Sequence, residues 1–196
     1  MVQTPTRLAT LEEFLHLPET EPGSEYINGE IIQKPMPQGE HSVLQTELAS
    51  AINLVLKPHK LGRAFSELRC TYPTGSRSSV YGGFSIIPDV SVFQSSRIPR
   101  KENGGVANIF NIAPDWSIEI LSPNQSQTKV TKNILHCLNH GTQMGWLIDP
   151  QDQSVFVYLS DQHPRVYDQP NSELPIPEFA QDFHITLKNL FAWLLD

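Results

Sequence analysis

The chain has 196 residues, of which 39% are hydrophobic and 18% are charged, and its formal net charge is −7. This composition is typical of a globular protein that buries a core, and it excludes an intrinsically disordered chain. The acidic balance excludes loose, charge-driven binding to nucleic acid. A local basic strip and the attraction of divalent cations both stay compatible with it.

No apolar stretch approaches the length of a membrane span, and the N-terminal segment MVQTPTRLATLEEFL lacks the basic-then-apolar order of a secretory signal. We therefore expect a cytoplasmic protein with no membrane partner. Its two cysteines, Cys70 and Cys137, are expected to be reduced, buried thiols. No internal repeat or linker interrupts the sequence, which predicts one domain over residues 1–196.

Capping and turn signals organise the first half of the chain. Residues 10–13 (TLEE) form a capping-box pattern that predicts a short helix. Asn28-Gly29 between two strand-like runs predicts a type I′ turn and an N-terminal β-hairpin. Residues 41–57 carry apolar side chains at helical spacing and predict a helix. The next predicted elements are a strand at 62–72 and a flexible loop or loose hairpin at 74–85.

Two buried strands dominate the second half, IIPDVSVF at 86–93 and WSIEIL at 116–121, with a polar surface excursion at 94–107 between them. A helix is predicted over residues 126–140, where Gly141 supplies its stop. The remaining predicted elements are strands at 145–148, 155–159 and 165–167 and a final helix that begins at Thr186 and runs to Leu195. This order predicts an α/β (α+β) fold, a mixed sheet flanked by helices.

Each buried strand carries one acid, Asp89 in the first and Glu119 in the second. Burying a bare carboxylate costs several kcal/mol, so each acid needs a cation, hydrogen bonds or a proton. If the strands are neighbours, alternation lets both acids point to one spot, and two hard oxygen ligands suit Mg²⁺ or Mn²⁺. The alternative is that Asp89 caps a turn and Glu119 lies at the sheet rim. Because two close carboxylates repel, Asp89→Ala is expected to abolish metal binding at little cost in stability.

Pro88-Asp89, followed by an acid in a later strand, resembles the PD-(D/E)xK nuclease signature. An ordered set of fragments is similar to the Uma-type family of bacterial putative restriction endonucleases: residues 25–32, His41 at a helix start, and residues 88–92, 119–123 and 145–150. The resemblance implies a restriction-endonuclease-like core and metal ligation by Asp89, Glu119 and the backbone carbonyl of Ile120. It also implies hydrolysis of a DNA phosphodiester by metal-activated water. A homodimer is common among enzymes of this type.

Two positions depart from that pattern. The standard motif places a lysine at position 121, where this chain has Leu121. For the Uma-type family, the resemblance implies a lysine moved to the next helix, in a row that here reads Lys129, Asn133 and Cys137. Residues four apart share a helix face, so Lys129 could still reach the site, and it ranks above Lys132 as the catalytic lysine. A solvated Lys129 is the alternative, and a catalytically inactive member of the fold that binds nucleic acid or protein is the alternative for the whole chain.

Further side chains are accessory candidates. His41 lies along the apolar stripe of its helix and could reach a metal or phosphate, or be satisfied by the backbone. The resemblance allows Glu47 to assist a metal, with a solvated position as the alternative. Asp115, in a second Pro-Asp pair, suits a turn or a strand start. A basic cluster could contact phosphates or serve solubility: Arg69, Arg77, Arg97, Arg100 and Lys101.

Overall fold

The computed structural model of the protein describes residues 8–72, 80, 82–123 and 125–195. Its helices are α1 (Leu11–Leu15), α2 (Gly39–Leu56), α3 (Gln127–Leu138) and α4 (Leu187–Ala192), with a short 3-10 helix at Glu178–Ala180. Its strands are β1 (Ser24–Ile27), β2 (Glu30–Gln33), β3 (Gly62–Ser66), β4 (Cys70–Tyr72), β5 (Phe84–Ile86), β6 (Val90–Gln94), β7 (Trp116–Ile120), β8 (Met144–Asp149), β9 (Ser154–Leu159) and β10 (Arg165–Tyr167). Across these described ranges, no helix is long and apolar enough to cross a membrane.

The strands form two sheets. The first has four antiparallel strands in the order β2-β1-β5-β4. The second has six strands in the order β10-β9-β8-β7-β6-β3, in which β7 and β8 run parallel. Parallel neighbours need a crossover connection, and α3 supplies it. The predicted mixed sheet with flanking helices is confirmed, although the N-terminal hairpin belongs to a second sheet that the sequence did not predict.

Two predicted strands are each divided between the sheets. The predicted strand at 86–93 is wrong as one element, because β5 ends at Ile86 in the first sheet and β6 begins at Val90 in the second. Pro88 has no N–H and disfavours regular pairing on either side, so the ladder breaks there. The predicted strand at 62–72 likewise divides into β3 and β4. Of the predicted loop at 74–85, residues 74–79 and 81 lie outside the described part of the chain, and Phe84 and Ser85 already belong to β5.

The predicted local signals at the N-terminal end are confirmed. Asn28 and Gly29 have φ values of 46° and 97°, the pair of positive angles that a type I′ turn requires. The turn sets Ile27 opposite Glu30 and so fixes the register of the hairpin. Strand β1 then pairs with β5 on its other edge. This pairing ties the hairpin to the segment that leads into Asp89.

Alternation along β7 separates two packed faces of the six-stranded sheet. Trp116, Ile118 and Ile120 join the main core, which includes the apolar stripe of α2. The alternate side chains of β7, Ser117 and Glu119, therefore point to the other face of the sheet, where α3 and the first sheet pack. Both cysteines are buried there as free thiols, as predicted.

The contact between α3 and β8 is close enough to require a glycine. A Cβ on Gly145 would overlap the Cγ2 atom of Ile134. We expect Gly145→Ala to lower the free energy of unfolding by about 1–3 kcal/mol, a typical cost of overpacking. Chemical denaturation measures it, with Gly39→Ala as the matched control because a Cβ there meets nothing within 4 Å. Equal stabilities of the two variants would contradict the close packing of α3.

Candidate functional site

Asp89 lies in the passage between β5 and β6, and its side chain is almost fully buried. Its Oδ1 atom accepts a hydrogen bond from the Lys34 ammonium at 2.6 Å. Its Oδ2 atom accepts one from the Ile120 amide at 2.7 Å and lies 3.1 Å from Nε2 of His41. Both carboxylate oxygens are therefore held, and the side chain has one fixed orientation.

The backbone of Asp89 is held by α2 and by the turn after β3. Nε2 of Gln45 donates to the Asp89 carbonyl at 2.9 Å and to Oε1 of Glu67 at 2.8 Å. The Glu67 amide donates to the same carbonyl at 3.3 Å. Glu67 has a φ of 49°, a left-handed conformation that is uncommon outside glycine and tends to occur at functional sites. The turn places Oε2 of Glu67 3.5 Å from the Lys34 ammonium.

Glu119 reaches the same place from β7. The register pairs Val90 with Ile118, so Asp89 lies opposite Glu119 one residue further along. Directly opposite residues of an antiparallel pair point to the same face. The Glu119 carboxyl is buried, and its Oε1 atom has no hydrogen-bond partner among the residues that the structure describes. Such an oxygen is costly to bury and favours a proton or a cation.

The two carboxyls have opposite electrostatic settings. Burial alone would raise the pKa of Asp89, but the Lys34 ammonium and His41 outweigh it and lower that pKa to about 2. Burial, reinforced by the negative charge of Asp89, raises the pKa of Glu119 well above its usual range. Burial would lower the pKa of Lys34, yet the surrounding carboxylates raise it. The site therefore combines an ionised Asp89, an ammonium and a Glu119 that favours its neutral form.

Two clefts open onto this pair of acids, and they share Lys34, Pro35 and Gln125. The first, here the Asp89 cleft, has a volume of about 250 Å³, and its other lining residues include His41, Gln45, Glu67 and Asp89. The second, the Glu119 cleft, has a volume of about 480 Å³, and its other lining residues include Glu25, Glu119, Lys129 and Asn133. A ligand can therefore reach both acids from solvent.

The remaining predicted site residues lie at different distances from the pair. Lys129 is exposed in the first turn of α3 and lines the Glu119 cleft, whereas the exposed Lys132 lines neither cleft. Asn133 donates to Oε2 of Glu25 at 3.2 Å, so the position where the resemblance expects a lysine holds a neutral donor. Glu47 is exposed on α2 and lines neither cleft. Ile120 contributes its amide to Asp89, while the predicted metal ligand is the carbonyl of the same residue.

Four polar residues of the site were missed by the sequence analysis: Lys34, Glu25, Gln45 and Glu67. Gln45 carried a usable signal, since it lies four residues after His41 on the same helix face. Glu25 is buried in β1, where its Oε1 atom accepts from the Ile87 amide at 2.8 Å. Burial raises the pKa of Glu25, and that hydrogen bond offsets part of the effect. Lys34 carried no local signal, because only the pairing of β1 with β5 brings the hairpin to Asp89.

Asp115 and two arginines of the predicted basic cluster, Arg97 and Arg69, make contacts that serve the fold. Asp115 Oδ1 lies 2.6 Å from Nη1 of Arg97, and its Oδ2 atom accepts from the Gln94 amide at 2.8 Å, as suits the predicted strand start. Arg69 pairs with Glu19 at 2.8 Å. Of the described members of the cluster, none lines either cleft. Arg77, the remaining member, lies outside the described residues.

The donor set suits a small, hard cation. Within the described part of the chain, no group of three or more His, Cys, Asp or Glu side chains could by itself enclose a metal ion. Mg²⁺ does not need such a cage, because it is commonly held by one or two carboxylates and completes its shell with water and substrate phosphate. The unpartnered Oε1 atom of Glu119, opposite Asp89, fits that mode of binding.

Comparisons with known proteins agree with the fold of the chain. The model of the family Uma2, described as "putative restriction endonuclease", matches residues 11–188. A solved structure of "a putative nuclease belonging to DUF820" from Anabaena variabilis ATCC 29413 is 63% identical, with a TM-score of 0.89, and the alignment covers 95% of this chain and 99% of that one. No curated protein matches the chain significantly. The two-sheet architecture is therefore a nuclease-like fold, and the resemblance predicted from the ordered sequence fragments is confirmed: the chain belongs to the Uma2 family.

Proposed function

We propose that the protein is a divalent-metal-dependent endonuclease that hydrolyses phosphodiester bonds in DNA. The observation that carries the proposal is the convergence of Asp89 and Glu119 on one face at the junction of the two sheets. One oxygen of Glu119 has no hydrogen-bond partner in the described part of the chain. The family and the solved relative support a nuclease, and the family suggests DNA as its substrate.

Asp89 and Glu119, with the carbonyl of Ile120, would hold Mg²⁺ or Mn²⁺. When bound, such an ion would supply a water of lowered pKa and offset negative charge on the phosphate. His41 and the Ile120 amide orient Asp89 for this task. Glu119 has to lose its proton to act as a ligand, and its raised pKa means that metal affinity rises with pH.

The DNA backbone would approach through the Glu119 cleft. Lys129 is exposed there, and its four-carbon stem can place an ammonium beside a phosphate held near Glu119. The chain has a net charge of −7, so its attraction for DNA has to be local. We expect binding that weakens with salt according to the few phosphates contacted. A homodimer would present two such clefts, and analytical ultracentrifugation tests that arrangement.

Lys129→Ala is expected to retain metal binding and folding and to lose about 10²–10³ in cleavage rate, because the ammonium acts on charge that develops in the transition state. The measurement is cleavage of double- and single-stranded DNA with Mg²⁺ and with Mn²⁺, beside metal binding by calorimetry. Lys132→Ala is the matched control on the same helix.

Loss of activity in Lys132→Ala alone would move the role to Lys132. A wild-type protein that binds DNA but cleaves it under no metal condition would overturn the enzyme and favour the non-catalytic binding module. The departures at Leu121 and Asn133 make that second outcome the natural alternative.

A further inference from the structure

The ammonium of Lys34 lies among oxygen atoms of the kind that bind metal cations. It directly follows β2, and its amide donates to the Gly23 carbonyl at 3.0 Å. Its side chain is only 11% exposed. Its ammonium donates to the Ile87 carbonyl at 2.7 Å and to Oδ1 of Asp89 at 2.6 Å. The ammonium therefore lies among hard oxygen atoms, which are also the ligands that Mg²⁺ prefers.

We infer that Lys34 is the resident cation of the Asp89–Glu119 pair and that a divalent metal ion has to displace its ammonium from Asp89. This inference rests on the proposed function for the identity of the metal site. The Lys34 contact occupies Oδ1 of Asp89, while Oδ2 is engaged by the Ile120 amide and His41. A divalent cation held by Asp89 and Glu119 would need a lone pair of Asp89, and it would repel the Lys34 ammonium, which lies 2.6 Å from Oδ1 of Asp89.

The Lys34 ammonium has open space beside it into which a metal ion could displace it. Lys34 lines both clefts, so a rotation of its flexible stem moves the charge from Asp89 into open space without moving the backbone of β2. Oε2 of Glu67, 3.5 Å away and on a side chain that is 45% exposed, is an alternative partner. An ammonium displaced instead into the Glu119 cleft would face the DNA phosphate proposed to bind there, beside the carboxylates.

The test is the Mn²⁺ affinity of Lys34→Met, measured by calorimetry beside DNA cleavage. Removing the competing charge should tighten Mn²⁺ binding at least tenfold while cleavage falls by about 10²–10³, since a charged group facing the phosphate is lost. A merely structural role would weaken metal binding and cleavage together. Lys132→Met is the control, and its metal affinity should equal that of the wild type.

Unchanged or weaker Mn²⁺ binding by folded Lys34→Met, in a protein whose wild type binds Mn²⁺ and cleaves DNA, would overturn the inference and leave the proposed function standing. Tighter binding by Lys34→Met with no cleavage by the wild type would support the inference and overturn the nuclease. Absence of Mn²⁺ binding in both proteins would overturn both.

If Lys34→Met does not fold, NMR of the wild type labelled with ¹³C-lysine provides the readout, with the Lys34 side-chain resonance assigned through Lys34→Arg. Mg²⁺ should shift that resonance, and an unshifted one at saturating Mg²⁺ would overturn the inference.

Discussion

In Asp89→Ala, Mn²⁺ binding is expected to be lost and the free energy of unfolding to fall by about 3–5 kcal/mol, the usual cost of removing one partner of a buried ion pair. The ammonium of Lys34 would stay buried without its closest anion, and the Ile120 amide would lose its acceptor. The sequence-based expectation of little cost in stability treated Asp89 as an unpaired charge. The structure pairs Asp89 with Lys34, and we therefore expect the larger loss.

Chemical denaturation with chelator at pH 7, together with Mn²⁺ calorimetry, measures both effects. Asp115→Ala is the matched control, because Asp115 is equally buried and paired with Arg97. That control should lose stability but retain the metal site once folded. Retained Mn²⁺ affinity in Asp89→Ala would remove Asp89 from the proposed site.

The stability difference between wild type and Asp89→Ala should depend on pH in a direction set by the pKa of Asp89. The pKa of Asp89 is lowered from its ordinary value of 3.8 to about 2 in the folded protein. A carboxyl whose pKa is lower in the folded than in the unfolded protein stabilises the fold at any pH above its unfolded-state pKa. This stabilisation is lost as the pH falls through its folded-state pKa. The part of the stability difference between wild type and Asp89→Ala that comes from Asp89 itself should therefore be fully present above about pH 4 and should narrow between about pH 4 and pH 2.

Glu119→Gln should also abolish metal binding, yet with the opposite effect on stability. In the absence of metal, we expect its free energy of unfolding at pH 8 to exceed that of the wild type by about 1–3 kcal/mol, the scale of a buried polar group left unsatisfied. The raised pKa of Glu119 means that the folded state prefers the neutral carboxyl, and glutamine is its neutral mimic.

The stability gain should be absent near pH 4 and should grow as pH rises above 4.5, the ordinary pKa of the group, because from there the unfolded wild type releases a proton that the folded state retains. It should level off once the folded carboxyl also ionises. Denaturation curves with chelator at pH 4 and pH 8 measure it, with Glu47→Gln on the exposed face of α2 as control. A Glu119→Gln protein that is less stable than the wild type at pH 8 would contradict the conclusion that burial and Asp89 destabilise the ionised form of Glu119.

Local sequence patterns were sufficient where the physical cause is local. Asn28-Gly29 determines its turn because both residues tolerate a positive φ, and the apolar spacing of α2 determines which face is buried. Glu119 could be predicted as a candidate site residue because a charge between two buried isoleucines demands compensation. The family resemblance likewise came from the sequence itself.

The partner of each charge was decided only by tertiary structure. Lys34 and Asp89 are 55 residues apart, and they meet because β1 pairs with β5 while Pro88 ends the ladder and sends the chain into the second sheet. The period of a strand reports which side a residue faces, but it carries no information about which distant strand lies beside it. For that reason the sequence could predict the two acids of the candidate site, whereas the lysine that neutralises Asp89 emerged only from the packing of the two sheets.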